Sequence, residues 1–380
     1  MRVGDASGRI ALAAVLACVA LLGSAGCRGG GRSSSTEDAL ARELQQVLDE
    51  DAKGLPGAQA AVYVPGRGLW VGATGRANLE TGVRVTPATL FGLGSVSKHL
   101  TAAVVLELAE EGVLSLDDPI SKWEPGVPEA RRITVRMLLE NASGLVEPSF
   151  GPLDRRPPTE WTPRNWIDLL HDKPLFPPGE GFHYSGTNFA LAGLIAEKAS
   201  GSTLAQQLDR LLRPLGIADA IRLPSEQPVR GTLARDYVDL DGDGKPEFRR
   251  DSGRFLVPYQ GRGPWGNSGF VGTAGALATW LDALFRRHAV LGEETVAHMT
   301  DFRETPAAYD YGLGTMRMDS HGEVAWGNDG VLGGFWAHAW YHPEDGITVV
   351  VLANRGGPGY DSPLIDSDLL AVARRARRAG

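Results

Sequence analysis

The order in which two kinds of apolar run follow one another most restricts the fold of this chain. Residues 58–64 and 69–73 are short apolar runs parted by Pro65-Gly66-Arg67-Gly68, the signature of a β-hairpin. Two further runs, 336–341 (WAHAWY) and 346–354 (GITVVVLAN), flank a turn at His342-Pro343-Glu344-Asp345. Between these end pieces the spacing becomes helical, over 97–112, 187–199, 203–212 and 272–285. A helix at 37–51, with Leu40, Leu44, Val47 and Leu48 on one side, precedes the hairpin, and another at 366–375 closes the chain. Strands near both ends with helices between them predict an α+β fold. One antiparallel sheet flanked by helices is assembled from both ends, with a mainly helical lobe inserted at roughly 130–255. The cleft between sheet and lobe is the natural place for a site.

With 43% hydrophobic residues in 380, the chain has enough apolar surface for a single large domain over 39–375. The net charge of -8 argues against nucleic acid as a partner. The only cysteines, Cys18 and Cys27, have no zinc-type spacing. They belong instead to an export signal over 1–26. Arg2 and Arg9 precede a thirteen-residue apolar run at 10–22, too short to span a bilayer comfortably. Small residues 23–26 then lead to Cys27, which is similar to a bacterial lipoprotein cleavage site, although Ser24 stands where leucine is usual. The expectation is an exported, membrane-anchored lipoprotein lipidated on Cys27; a plainly secreted or periplasmic chain and an uncleaved anchor are the alternatives. Residues 27–38 form a Gly/Ser-rich tether.

The sharpest chemical signal is FGLGSVSK at 91–98. Ser95 stands at a helix start and Lys98 one turn later, on the same face. A serine becomes a useful nucleophile when a base takes its proton, and a lysine whose pKa is lowered from about 10.4 by burial can be that base. The helix start adds partial positive charge near a developing oxyanion. The same spacing also arises from an N-cap serine beside a surface lysine.

The wider context resembles the serine β-lactamase and penicillin-binding-protein superfamily, in the branch that includes class C-like β-lactamases, D-alanyl-D-alanine carboxypeptidases and esterases. Its first motif, F-x-x-G-S-x-S-K, is matched by 91–98. Segments 114–123, 133–145, 177–197, 269–284 and 341–354 are similar to it in the same order, so the likeness runs from about 40 to about 375. The resemblance implies a β-lactamase/transpeptidase-like fold and an acyl-enzyme on Ser95. Tyr184, in Tyr184-Ser185-Gly186, becomes a proton relay beside Lys98, with the main general base left open between the two. The third motif falls on an edge strand at 327–335, where Gly330 keeps the strand close. The backbone N–H groups of Ser95 and Val331 then form the oxyanion hole.

Two substrate-binding positions depart from the family pattern. Gly186 stands where an asparagine usually holds an amide carbonyl, and Asn328 replaces a lysine or histidine. An unpartnered buried polar group costs about 1–3 kcal/mol, so losing both contacts weakens selection for peptides and β-lactams. The resulting expectation is an esterase-like serine hydrolase acting on small ester or related acyl substrates, without a catalytic cofactor or an obligate protein partner. The alternatives are a D-alanyl-D-alanine carboxypeptidase or D-amino-acid peptidase acting on cell-wall-like peptides, a β-lactamase, and a catalytically weak cell-envelope binding protein.

A separate feature is the run Asp239, Asp241, Asp243, Lys245 and Glu247, with Gly244 at the sixth position. It is similar to a calcium loop and suggests a structural Ca²⁺ site, although Arg250 stands where such loops carry glutamate. A solvated acidic turn is the alternative. None of the eight histidines has zinc-motif spacing, and none is assigned as the base.

Overall fold

The computed structural model describes residues 33–146, 163–168, 170, 173–239, 245–248, 265–320, 323–356 and 365–379. It opens with helix α1 (Ser33–Asp51), which begins inside the stretch expected as a tether over 27–38; its Leu44 and Leu48 are fully buried. The hairpin β1 (Gly57–Val64) and β2 (Gly68–Gly75) turns through Gly66 and Gly68, at φ +79° and +89°. A two-residue strand β3 (Phe91–Gly92) leads into helix α2 (Val96–Glu110). Short helices α3 (Val135–Leu139) and α4 (Pro163–Asp168) precede α5 (Gly186–Ser200) and α6 (Leu204–Leu212). Strands β4 (Ile221–Arg222), β5 (Tyr237–Val238) and β6 (Glu247–Phe248) come next, then helix α7 (Trp265–Ser268) and strand β7 (Val271–Gly272). Helices α8 (Ala274–Leu281) and α9 (Glu293–Met299) lead to β8 (Asp310–Tyr311), β9 (Met316–Ser320), β10 (Glu323–Leu332), β11 (Phe335–His342) and β12 (Ile347–Ala353). Helix α10 (Ile365–Arg378) follows.

Among the described residues the main sheet has seven antiparallel strands in the order β2-β1-β12-β11-β10-β9-β8. The hairpin near one end of the chain therefore pairs with the last strand, from Ala58↔Ala353 to Tyr63↔Thr348. Every residue of β12 is buried, because both faces of the sheet are covered. On one face Val349, Val351 and Ala353 meet Leu44, Leu48, Leu369 and Leu370 of α1 and α10. On the other, Val350 and Leu352 join the larger core of α2, α5, α6 and α8. Helix α2 is buried almost all round, polar Ser97, Lys98, His99 and Thr101 included, as suits a helix enclosed between the sheet and the other helices. Gln59 is a buried polar residue in β1 with both ends of its amide engaged. Nε2 donates to Thr86 O at 2.7 Å, and Oε1 accepts from Ala274 N–H at the start of α8.

The α+β architecture and antiparallel sheet agree with the sequence. The helix expected over 272–285 divides: α8 ends at Leu281 and a π-helical turn follows over Asp282–Arg286. The buried Asp282 carboxylate there receives both Arg286 and Arg287. The three-stranded sheet β3-β7-β4 was not foreseen, since two-residue strands carry no readable period. Strand β10 is also less of an edge than the sequence suggests. It pairs with β11 from Trp326 to Leu332 and with β9 as far as Gly327↔Met316, so the flank of 328–332 away from β11 is left for the segment that carries Ser95.

Candidate active site

Ser95 is the N-cap residue of α2, but its side chain makes no capping hydrogen bond. The hydroxyl instead meets Lys98: Nζ lies 2.9 Å from Ser95 Oγ. Lys98 is 3% exposed, and its Nζ also donates to the Asn267 carbonyl of α7 at 3.0 Å. The contact with Ser95 serves an ammonium that donates or a neutral amine that accepts the hydroxyl proton. Neighbouring groups brace the motif. Ser97 Oγ accepts from Phe270 N–H at 3.1 Å, and His99 Nδ1 lies 3.1 Å from Thr315 Oγ1. Burial lowers His99 to about 3, so its imidazole is neutral across ordinary pH.

Tyr184 comes from the other wall, one residue before the N-cap of α5, with its ring centroid 4.9 Å from Lys98 Nζ. Its ring meets Tyr311 edge-on at 6.0 Å, and Phe182 and Tyr309 extend the aromatic group. Burial, aided by the charges of Tyr184 and Asp329, pushes the Tyr309 phenol up to about 12; burial with Tyr184 and Tyr309 raises Tyr311 well above its ordinary value. Neither therefore supplies a phenolate near neutral pH.

The third wall is the flank of β10. Gly94 adopts φ +52°, and a Cβ there would lie 2.6 Å from Val331 N. A Cβ on Gly330 would lie 2.0 Å from Leu93 O and 3.0 Å from Ser95 N. These two glycines let the backbones of Ser95 and Val331 approach, and Val331 is half-exposed at the rim. Asn328 takes another course: it is 1% exposed, and its Nδ2 donates to Gly314 O at 3.0 Å. Its Oδ1 is buried without a hydrogen-bond partner among the described residues. Gly186 is the buried first residue of α5. Sequence reasoning missed Asn267 and Asn141. The former reaches Lys98 across 169 positions; the latter contacts both neighbours of Tyr184.

Of the calcium-loop residues, Asp241 and Asp243 lie outside the described residues, as do Cys27 and the rest of the export signal. Among the described residues, no group of three or more His, Cys, Asp or Glu side chains forms an arrangement able to hold a metal ion, so the calcium expectation gains no support. No helix among them is long and apolar enough to cross a membrane.

A family model described as Beta-lactamase matches residues 38–373. Esterase EstB of Burkholderia gladioli is 29% identical, with 86% of this chain and 93% of the relative covered. Penicillin-binding protein 4 of Amycolatopsis lactamdurans is 30% identical, with 80% and 81% covered. The crystal structure of D-amino acid amidase from Ochrobactrum anthropi SV3, complexed with L-phenylalanine amide, has a TM-score of 0.76. It covers 90% of this chain and 99% of that chain at 23% identity, a likeness of fold.

Proposed function

Starting from the beta-lactamase family, to which this chain belongs, we propose that the protein is an exported esterase-like enzyme acting on small ester or related acyl substrates. It is a serine hydrolase working through an acyl-enzyme. The observation that carries the assignment to Ser95 is the 2.9 Å contact between its Oγ and the buried Lys98 Nζ. Ser95 Oγ attacks the acyl carbon while Lys98 and Tyr184 accept and pass on its proton. The Ser95 and Val331 N–H groups hold the oxyanion. The alkoxide leaves with the relayed proton, and water then releases the acid by the reverse path. The preference for esters is supported by Gly186, which has no side chain to hold an amide, and by Asn328, which is closed against Gly314. The name of the Burkholderia relative agrees with this reading.

The test is one panel of kcat/KM values for p-nitrophenyl butyrate, a chromogenic cephalosporin and a D-alanyl-D-alanine peptide, with Ser95→Ala as blank. The ester is expected to lead, and the cephalosporin to turn over slowly or trap the acyl-enzyme. If the cephalosporin or peptide beats the ester tenfold, the reading of Gly186 and Asn328 fails, and a lactamase or D-peptidase assignment replaces it.

A further inference from the structure

Asn141 lies in the turn after α3 and is fully buried, at φ +54°. Its backbone carbonyl accepts the His183 N–H at 2.9 Å. Its side-chain Oδ1 accepts the Ser185 N–H at 3.1 Å and Asn188 Nδ2 at 2.9 Å. One residue thus grips the chain on both sides of Tyr184 and ties it to the first turn of α5. Asn188 is held in turn by Ser143, whose Oγ–H donates to Asn188 Oδ1 at 2.6 Å while accepting from Leu145 N–H. The left-handed backbone turns the Asn141 carbonyl and carboxamide toward the same segment. Asparagine is among the few side chains that tolerate this conformation.

We infer that Asn141 is the positioning residue for Tyr184, holding its phenol at the Ser95–Lys98 pair. This rests on the role given to Tyr184 above. The carboxamide acts through the Ser185 N–H that follows the relay and through Asn188, while the backbone carbonyl holds the His183 side. A residue with this task changes turnover only as long as Tyr184 has its hydroxyl, whereas a residue needed for general stability changes it in any background.

A double-mutant cycle separates the two. Asn141→Gly keeps the left-handed backbone and the carbonyl that receives His183, and removes only the carboxamide. It is expected to lower kcat for an alkyl ester by about 10–100-fold with KM within about threefold. An activated p-nitrophenyl ester, whose leaving group needs little proton help, loses less. In the Tyr184→Phe background the same change costs less than about twofold. Equal losses in both backgrounds, or no loss in either, overturn the inference. If Tyr184→Phe alone leaves turnover intact, the relay reading fails and this inference with it. Should Asn141→Gly not fold, Asn141→Asp carries the test, since it keeps an acceptor oxygen for Ser185 N–H. It is expected within about tenfold of wild type; a folded Asn141→Asp as slow as Tyr184→Phe overturns the inference.

Discussion

At the scale of single residues, the site is a set of close approaches that tolerate little change. Lys98→Ala and Tyr184→Phe should each lower kcat by about 10²–10⁴ while the protein stays folded, measured by single-turnover kinetics. Near wild-type turnover in either variant would remove that residue from the proton path. Gly330→Ala places a methyl against Leu93 O and beside Ser95 N. It should open the gap between the Ser95 and Val331 N–H groups proposed as oxyanion donors and cost about 10²–10³ in kcat. Full activity in this variant would put the oxyanion elsewhere. The contact between Ser95 and Lys98 was legible because the two sit three residues apart at one helix start, a relation that sequence displays directly. Tyr184 was legible through its motif. Asn267 and Asn141 were not, because their contacts with the site depend on how distant turns meet, and no local pattern encodes that.

At the scale of elements, the small helices that brace the cleft carry an electrostatic cost. Glu226 accepts the Trp265 indole N–H and the Ala205 N–H, joining α6 to α7, the helix that offers Asn267 O to Lys98. Nearby Glu197 accepts the Leu204 N–H at 2.9 Å. Burial raises Glu197 to about 7; the Leu204 hydrogen bond opposes the rise and the charge of Glu226 adds to it. A carboxyl raised in the folded state binds its proton more tightly there than in the unfolded chain. Its contribution to stability is therefore lost as pH rises from about 4.5 to about 7, and levels off above. Glu197→Gln keeps an acceptor for Leu204 and cannot ionise. Its melting temperature relative to wild type should be higher at pH 8 than at pH 5, and thermal melts at the two values check this. An equal difference at both would mean that Glu197 ionises normally. The long helices and the hairpin were readable from period and turn residues, whereas no period marks the π-helical turn at Asp282, where two arginines converge on one carboxylate.

At the scale of the whole molecule, the proposed export rests on residues 1–27. Cys27→Ser should shift the protein from the detergent phase to the aqueous phase when expressed in a bacterial host. Unchanged partitioning would replace lipidation with another mode of attachment or none. A different consequence follows from the register that joins Ala58 to Ala353. The flank of β1 opposite β2 finds its partner only in β12, so whichever machinery delivers the chain, the hairpin emerges with one side unpaired and stays so while the intervening residues appear. Such non-local pairing has high contact order, which slows folding and lengthens the time an open strand is available to other molecules. The strand made nearly last is the one that fills the gap beside the strand made first, so a stalled chain that stops short of 347–353 presents an adhesive edge instead of a partly working enzyme.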